Sequence, residues 1–149
     1  MARMTRGCWI VVVDATGAVI LENAGTVASP DLRLIDRIET PSHSAPQDRP
    51  GRRNDGGPKQ RSAMEVTDRA KLAETAMVAM LMTRLSFAAR QAGITRLAIA
   101  APPDLLGAIR ARMTDDLRAR VAIMLPRTLT NHPLDKIVSV MADAMDRAA

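Results

Sequence analysis

The chain has 149 residues, 47% hydrophobic and 25% charged, with a formal net charge of +5. That size and mix suit one soluble domain with one core, and exclude a disordered or fibrous chain. The single cysteine, Cys8, excludes an internal disulfide and fits a reducing cytoplasm.

Residues 8–13 form a continuous apolar, β-branched run, the mark of a buried strand. Cys8 opens it and reads as a small core residue. Asp14-Ala15-Thr16-Gly17 then reads as a turn. Residues 18–22 form a second strand, and the two make a hairpin. Residues 32–40 alternate apolar and polar positions, as in a half-exposed third strand. Arg3 and Arg6 before residues 9–13 imitate a secretory signal, but the apolar part is too short and Asp14 ends it.

Residues 41–63 change character. They are rich in Pro, Gly, Ser, Arg and Asp, have no apolar period, and read as a long mobile loop. Within it Arg49, Arg52, Arg53, Lys59 and Arg61 stand against Asp48 and Asp55. Such a segment could grip phosphates, with affinity that falls as salt rises. No aromatics are interleaved, so base stacking and sequence-specific reading are not expected.

A long helix follows over 67–92, with Gly93 at its end. Residues 76–82 are apolar on every side, which predicts a helix enclosed in the core. That run is far short of the roughly 20 residues a membrane span needs, so no span is expected. Residues 96–101 form a fourth strand, 103–113 a helix with Pro in its first turn, and 120–125 a fifth strand. A final amphipathic helix covers 133–148, with Leu134, Ile137, Val138, Met141 and Met145 on one face.

The predicted order is β-β-β-α-β-α-β-α, a mixed sheet of about five strands with helices packed on it and no second domain. It resembles the ribonuclease H-like topology and the middle domain of archaeal and eukaryotic release factors. The turn Ala101-Pro102-Pro103-Asp104 sits where α/β sheets often bind anions. Two prolines delete two amides there, however, and Asp104 already supplies negative charge to the helix dipole. Asp104 and Arg110 are the candidates in this strand–turn–helix, and Gly107 would let its helix pack closely on the sheet.

Several stretches together carry a family resemblance. They are Trp9-Ile10-Val11-Val12-Val13-Asp14, Asp48-Arg49-Pro50-Gly51-Arg52, Arg61-Ser62-Ala63-Met64-Glu65, the run from Ala101 to Arg110, and Leu129-Thr130-Asn131-His132-Pro133. In order and spacing, over nearly the whole chain, the sequence resembles the bacterial host attachment family, related to bacterial release-factor-like proteins. One departure is Arg127-Thr128-Leu129-Thr130, where the family pattern usually carries Lys-Asp-Leu-Thr. The resemblance implies a cytoplasmic α/β domain, a link to attachment to host cells, and contact with ribosome or RNA. Release factors hydrolyse peptidyl-tRNA with a Gly-Gly-Gln tip before a long helix. Gly56-Gly57-Pro58-Lys59-Gln60 stands in the comparable place, interrupted by Pro58 and Lys59.

Four functional readings stand side by side. The first is a non-enzymatic protein docking on ribosomal or other RNA through the basic loop. The second is a degenerate release-factor-like hydrolase centred on Gly56, Gly57 and Gln60. The third is a metal-dependent nuclease using Asp14 and Asp104, with Glu74 or Asp143 completing the set. The fourth is a protein–protein adaptor acting in attachment, with another protein or a second copy of the chain as partner. No Ser/His/Asp or Cys/His set can be assembled from His43, His132 and Cys8. No metal-ligand spacing and no cofactor signature occurs.

Overall fold

The computed structural model describes residues 3–41 and 59–148, with side chains in the second stretch from Asp68 onward. Strands β1 (Trp9–Asp14), β2 (Gly17–Asn23) and β3 (Leu32–Glu39) form an antiparallel meander. β4 (Leu97–Ala100) adds to β1 in parallel and β5 (Val121–Leu125) adds to β4 in parallel, giving the order β3-β2-β1-β4-β5. This is the mixed five-stranded α/β sheet that the element order predicts. The helices are α1 (Lys59–Ala92), α2 (Pro103–Arg112), α3 (Asp115–Arg120) and α4 (Leu134–Ala148).

Successive strand side chains point to opposite faces, so the sheet divides the core in two. Trp9, Val11, Val13, Ile20, Leu97 and Ile99 face α1, α2 and α3. Ile10, Val12, Leu21, Ala98 and Ala100 face α4, which contributes Ile137, Met141 and Met145. Cover on both faces is why β1 is apolar at five consecutive positions.

Several expectations need correction. α1 starts at Lys59, so Lys59, Gln60 and Arg61 belong to its first turn and the expected loop ends earlier than residue 63. α3 was not expected. Six residues are too few to show a period, although Thr114-Asp115-Asp116 carries the start signal: the Thr114 hydroxyl accepts from the Leu117 N–H at 3.2 Å. Nor is α1 enclosed in the core. Met77, Val78, Leu81, Leu85 and Ala89 are fully buried, but Leu72, Met80 and Phe87 on the opposite side are 66%, 37% and 59% exposed. The stretch Asp68–Ala92 is also long and apolar enough to cross a membrane, which the shorter run 76–82 concealed; 39% of its most apolar window is buried.

The end of α1 is closed by residues distant in sequence. Gly93 takes the left-handed conformation (φ +66). The Arg120 guanidinium donates to the carbonyls of Ala89 and Ile94 and pairs with Asp116 at 3.3 Å. At the opposite corner Asn23 is fully buried. Its amide donates to the Met4 carbonyl at 2.8 Å, and its oxygen accepts from the N–H groups of Gly25 and Asp31, both at 2.9 Å. It ties the chain before β1 to the β2–β3 connection. Gly107 does not serve close packing: it faces solvent, and a Cβ there would meet nothing within 4 Å.

Candidate functional site

A sheet of five strands is about 24 Å across at roughly 4.8 Å per strand, while one helix is about 10 Å wide. α4 is the only described helix on its face and packs against β5. Among the described residues β2 and β3 are therefore left open there, and a cleft of about 720 Å³ lies between them and the start of α4. Its floor is apolar: Val12, Val19, Leu21, Leu34 and Ile137. Its rim is polar: Asp14, Thr16, Arg37, Glu39, Thr40, Thr130, Asn131 and His132. The cleft lies at the C-terminal end of β1, where open α/β sheets commonly hold ligands.

Asp14 organises this end. One carboxylate oxygen accepts from the Thr16 N–H at 2.7 Å, the Thr16 hydroxyl at 2.6 Å and the Gly17 N–H at 3.2 Å. The other accepts from the Thr130 hydroxyl, 116 residues away. Burial alone would raise its pKa, but these hydrogen bonds from Thr130, Thr16 and Gly17 outweigh burial and hold it below the ordinary 3.8. The β3 side is locked as well: the Thr40 hydroxyl donates to the Ala15 carbonyl at 2.7 Å and its N–H to the Thr16 carbonyl at 2.9 Å. Only glycine fits at 17, since a Cβ there would lie 2.2 Å from the Ile38 carbonyl oxygen.

The arrangement can bind a ligand. Asp14 is ionised and committed to its four donors, so it positions the Thr130 segment. The side chains of Arg37, Glu39, Asn131 and His132 make no hydrogen bond or ion pair among the described residues, which leaves a cation, an anion, an amide and an imidazole around an apolar floor. The volume falls within the roughly 300–1,000 Å³ of small-ligand sites. Cys8 lies elsewhere in the core. Burial pushes its thiol up to about 11 despite the nearby Arg96 charge, so it is no nucleophile at neutral pH.

The residues singled out from sequence are not all brought together. Asp104 is exposed in the first turn of α2 and Arg110 is exposed in its last turn. α2 packs on the face opposite the cleft, and no hydrogen bond or ion pair joins Asp104 to Asp14. Glu74 is on α1, facing the same side as α2, and Asp143 pairs with Arg147 at 2.9 Å. Among the described residues no three His, Cys, Asp or Glu side chains could hold a metal. The nuclease set therefore has no assembled site there. His43, Arg49, Arg52, Arg53, Gly56 and Gly57 lie outside the described residues, and for Lys59, Gln60 and Arg61 only the helical backbone is described.

Sequence reasoning missed the partnership of Asp14 with Thr130, and missed Arg37 and Thr40 as cleft residues. The available signals were an acid closing an apolar strand before Thr-Gly, and the Leu129-Thr130-Asn131-His132-Pro133 run that precedes α4. Nothing local links the two.

A family model for the bacterial archaeo-eukaryotic release factor family 12 matches residues 7–141, from just before β1 into α4. The chain belongs to that family. No curated protein matches the chain. The match takes in all five strands and every residue of the cleft, so the release-factor-like resemblance holds across the whole sheet.

Proposed function

We propose that this release-factor-like protein docks on ribosomal or other RNA without catalysing a reaction, through the basic residues Arg49, Arg52, Arg53, Lys59 and Arg61. One observation carries the reading: the chain enters this segment from the Asp14 end of the sheet, beside the cleft. Thr40 is bonded to Ala15 and Thr16. The five bases face one acid, Asp55, between residues 49 and 61, which suits a phosphate-rich partner. Membership of a release factor family makes the ribosome the natural source of that phosphate. A cytoplasmic protein of this kind would act on attachment to host cells indirectly.

Co-sedimentation with ribosomes at low and high salt tests it. Wild-type protein sediments at low salt and is released at high salt, whereas the Arg49/Arg52/Arg53→Ala variant stays in the supernatant throughout. If neither protein sediments, the reading fails and an adaptor role takes its place. A second reading, peptidyl-tRNA hydrolysis at Gly56, Gly57 and Gln60, draws support from the family alone. It requires peptide release from peptidyl-tRNA that is lost in Gln60→Ala.

A further inference from the structure

We propose that the cleft beside α4 is a binding site for the base of a guanine nucleoside, read by Arg37 and Glu39. The sheet register brings the groups together. On the cleft face Val12, Val19 and Arg37 lie in one row across β1, β2 and β3, and Asp14, Gly17 and Glu39 lie in the next. Arg37 and Glu39 are exposed, and neither side chain has a hydrogen-bond or ion-pair partner among the described residues. Two residues apart on one strand, they face the same side with Cα atoms about 7 Å apart. Long side chains close that spacing onto adjacent edges of a single ring.

This wall of the cleft offers donors and then acceptors. The planar fork of Arg37 only donates, and the Glu39 carboxylate only accepts. Guanine presents the complementary order around its rim: the acceptors N7 and O6, then the donors N1–H and the 2-amino group. Arg37 donates to N7 and O6, and Glu39 accepts from N1–H and the 2-amino group. Adenine instead sets its 6-amino donor against Arg37 and its N1 lone pair against Glu39. Cytosine and hypoxanthine are each one donor short. Charge agrees, since Glu39 offsets Arg37 and Asp14 is ionised, so an uncharged ring suits the cleft better than an anionic head group. The floor of Val12, Val19, Leu21 and Ile137 is aliphatic. It holds a flat ring by burying one face and leaves selection to the edges, as in sites that take an unstacked base. Asn131 and His132, on the opposite wall, are left to the ribose hydroxyls. The base can belong to a free nucleoside or to an unstacked guanine of single-stranded RNA. The inference does not rest on ribosome docking, because guanosine has no phosphate for the basic segment to grip.

Titration of the nitrogen-15-labelled full chain with guanosine, followed by NMR, tests the proposal. The amides of Gly17, Val19, Arg37 and Asn131 shift. The dissociation constant is on the order of 10–100 µM, from the binding per atom of drug-sized ligands over about 20 non-hydrogen atoms. Adenosine binds at least about tenfold more weakly, with inosine and cytidine between the two, as expected where a polar site is left unpaired. Arg37→Leu and Glu39→Gln, both at exposed positions and both checked for folding in the same spectra, each weaken guanosine by at least about tenfold. The RNA U-U-G-U-U identifies the source of the base. If it binds much more tightly than guanosine, the source is RNA, and otherwise it is the free nucleoside. The proposal is overturned if neither guanosine nor U-U-G-U-U shifts the cleft amides, or if adenosine binds as tightly as guanosine. It is also overturned if U-U-U-U-U matches U-U-G-U-U, or if either variant binds guanosine as the wild type does. Failure of the ribosome co-sedimentation leaves all of these outcomes unchanged.

Discussion

The two faces of the sheet are made by the same strands, yet one is closed and the other half open. On one face α1, α2 and α3 together cover a continuous apolar layer running from Ile38 to Leu117. On the other, α4 covers the β5 side and leaves Val19, Leu34 and Arg37 bordering the cleft. A strand can therefore be apolar for stability on one side and for binding on the other. The difference lies in how many of the described helices pack on each side.

Mutations should expose that difference, and Trp9, the only tryptophan and a buried one, reports unfolding by fluorescence. Leu81→Ala, under α1 on the closed face, should cost about 2–5 kcal/mol in denaturant titration. A loss as small as that of an exposed site would break the comparison. Gly17→Ala, at the cleft end of the hairpin, should cost about 2 kcal/mol or more, because the new Cβ meets the Ile38 carbonyl. Asp14→Asn should cost about 1 kcal/mol by weakening the turn and the bond from Thr130.

Asp14 also sets a pH dependence. Its folded-state pKa lies below its ordinary value of 3.8. Its contribution is therefore complete above about pH 3.8 and is lost as pH falls through the depressed value. Melting temperatures of the wild type and Asp14→Asn should differ by a constant amount at neutral pH and converge below that point. The smallest effects belong to exposed positions. Leu34→Ala on the open face should change stability by no more than about 0.5 kcal/mol. Gly107→Ala should raise it by about 0.5–1 kcal/mol, since the site is open and helical.

Much of the fold was legible in the sequence because its signals are local. The β-branched run from Trp9 to Val13, the helical spacing in α4 and the Gly93 stop each report on neighbouring residues. Cover is a different kind of property. Residues 76–82 look apolar on every side, and only the packed structure shows that Met77 is buried while Met80 is half exposed. The cleft was the least legible part. Asp14 drew notice as an acid at a strand end, but its partner Thr130 is 116 residues away, and that pairing is made by strand order alone. Arg37 looked like an ordinary outward residue of a half-exposed strand until the sheet order set it opposite Val19, facing the cleft.

The buried, protonated Cys8 has a practical consequence. Maleimides and iodoacetamides react with exposed thiolates, so the natural chain should stay unlabelled at neutral pH and serve as its own cysteine-free background. A single cysteine placed on the cleft rim or on the outer face of α1 would then carry a spin label or fluorophore at a known position, with no residue first having to be removed.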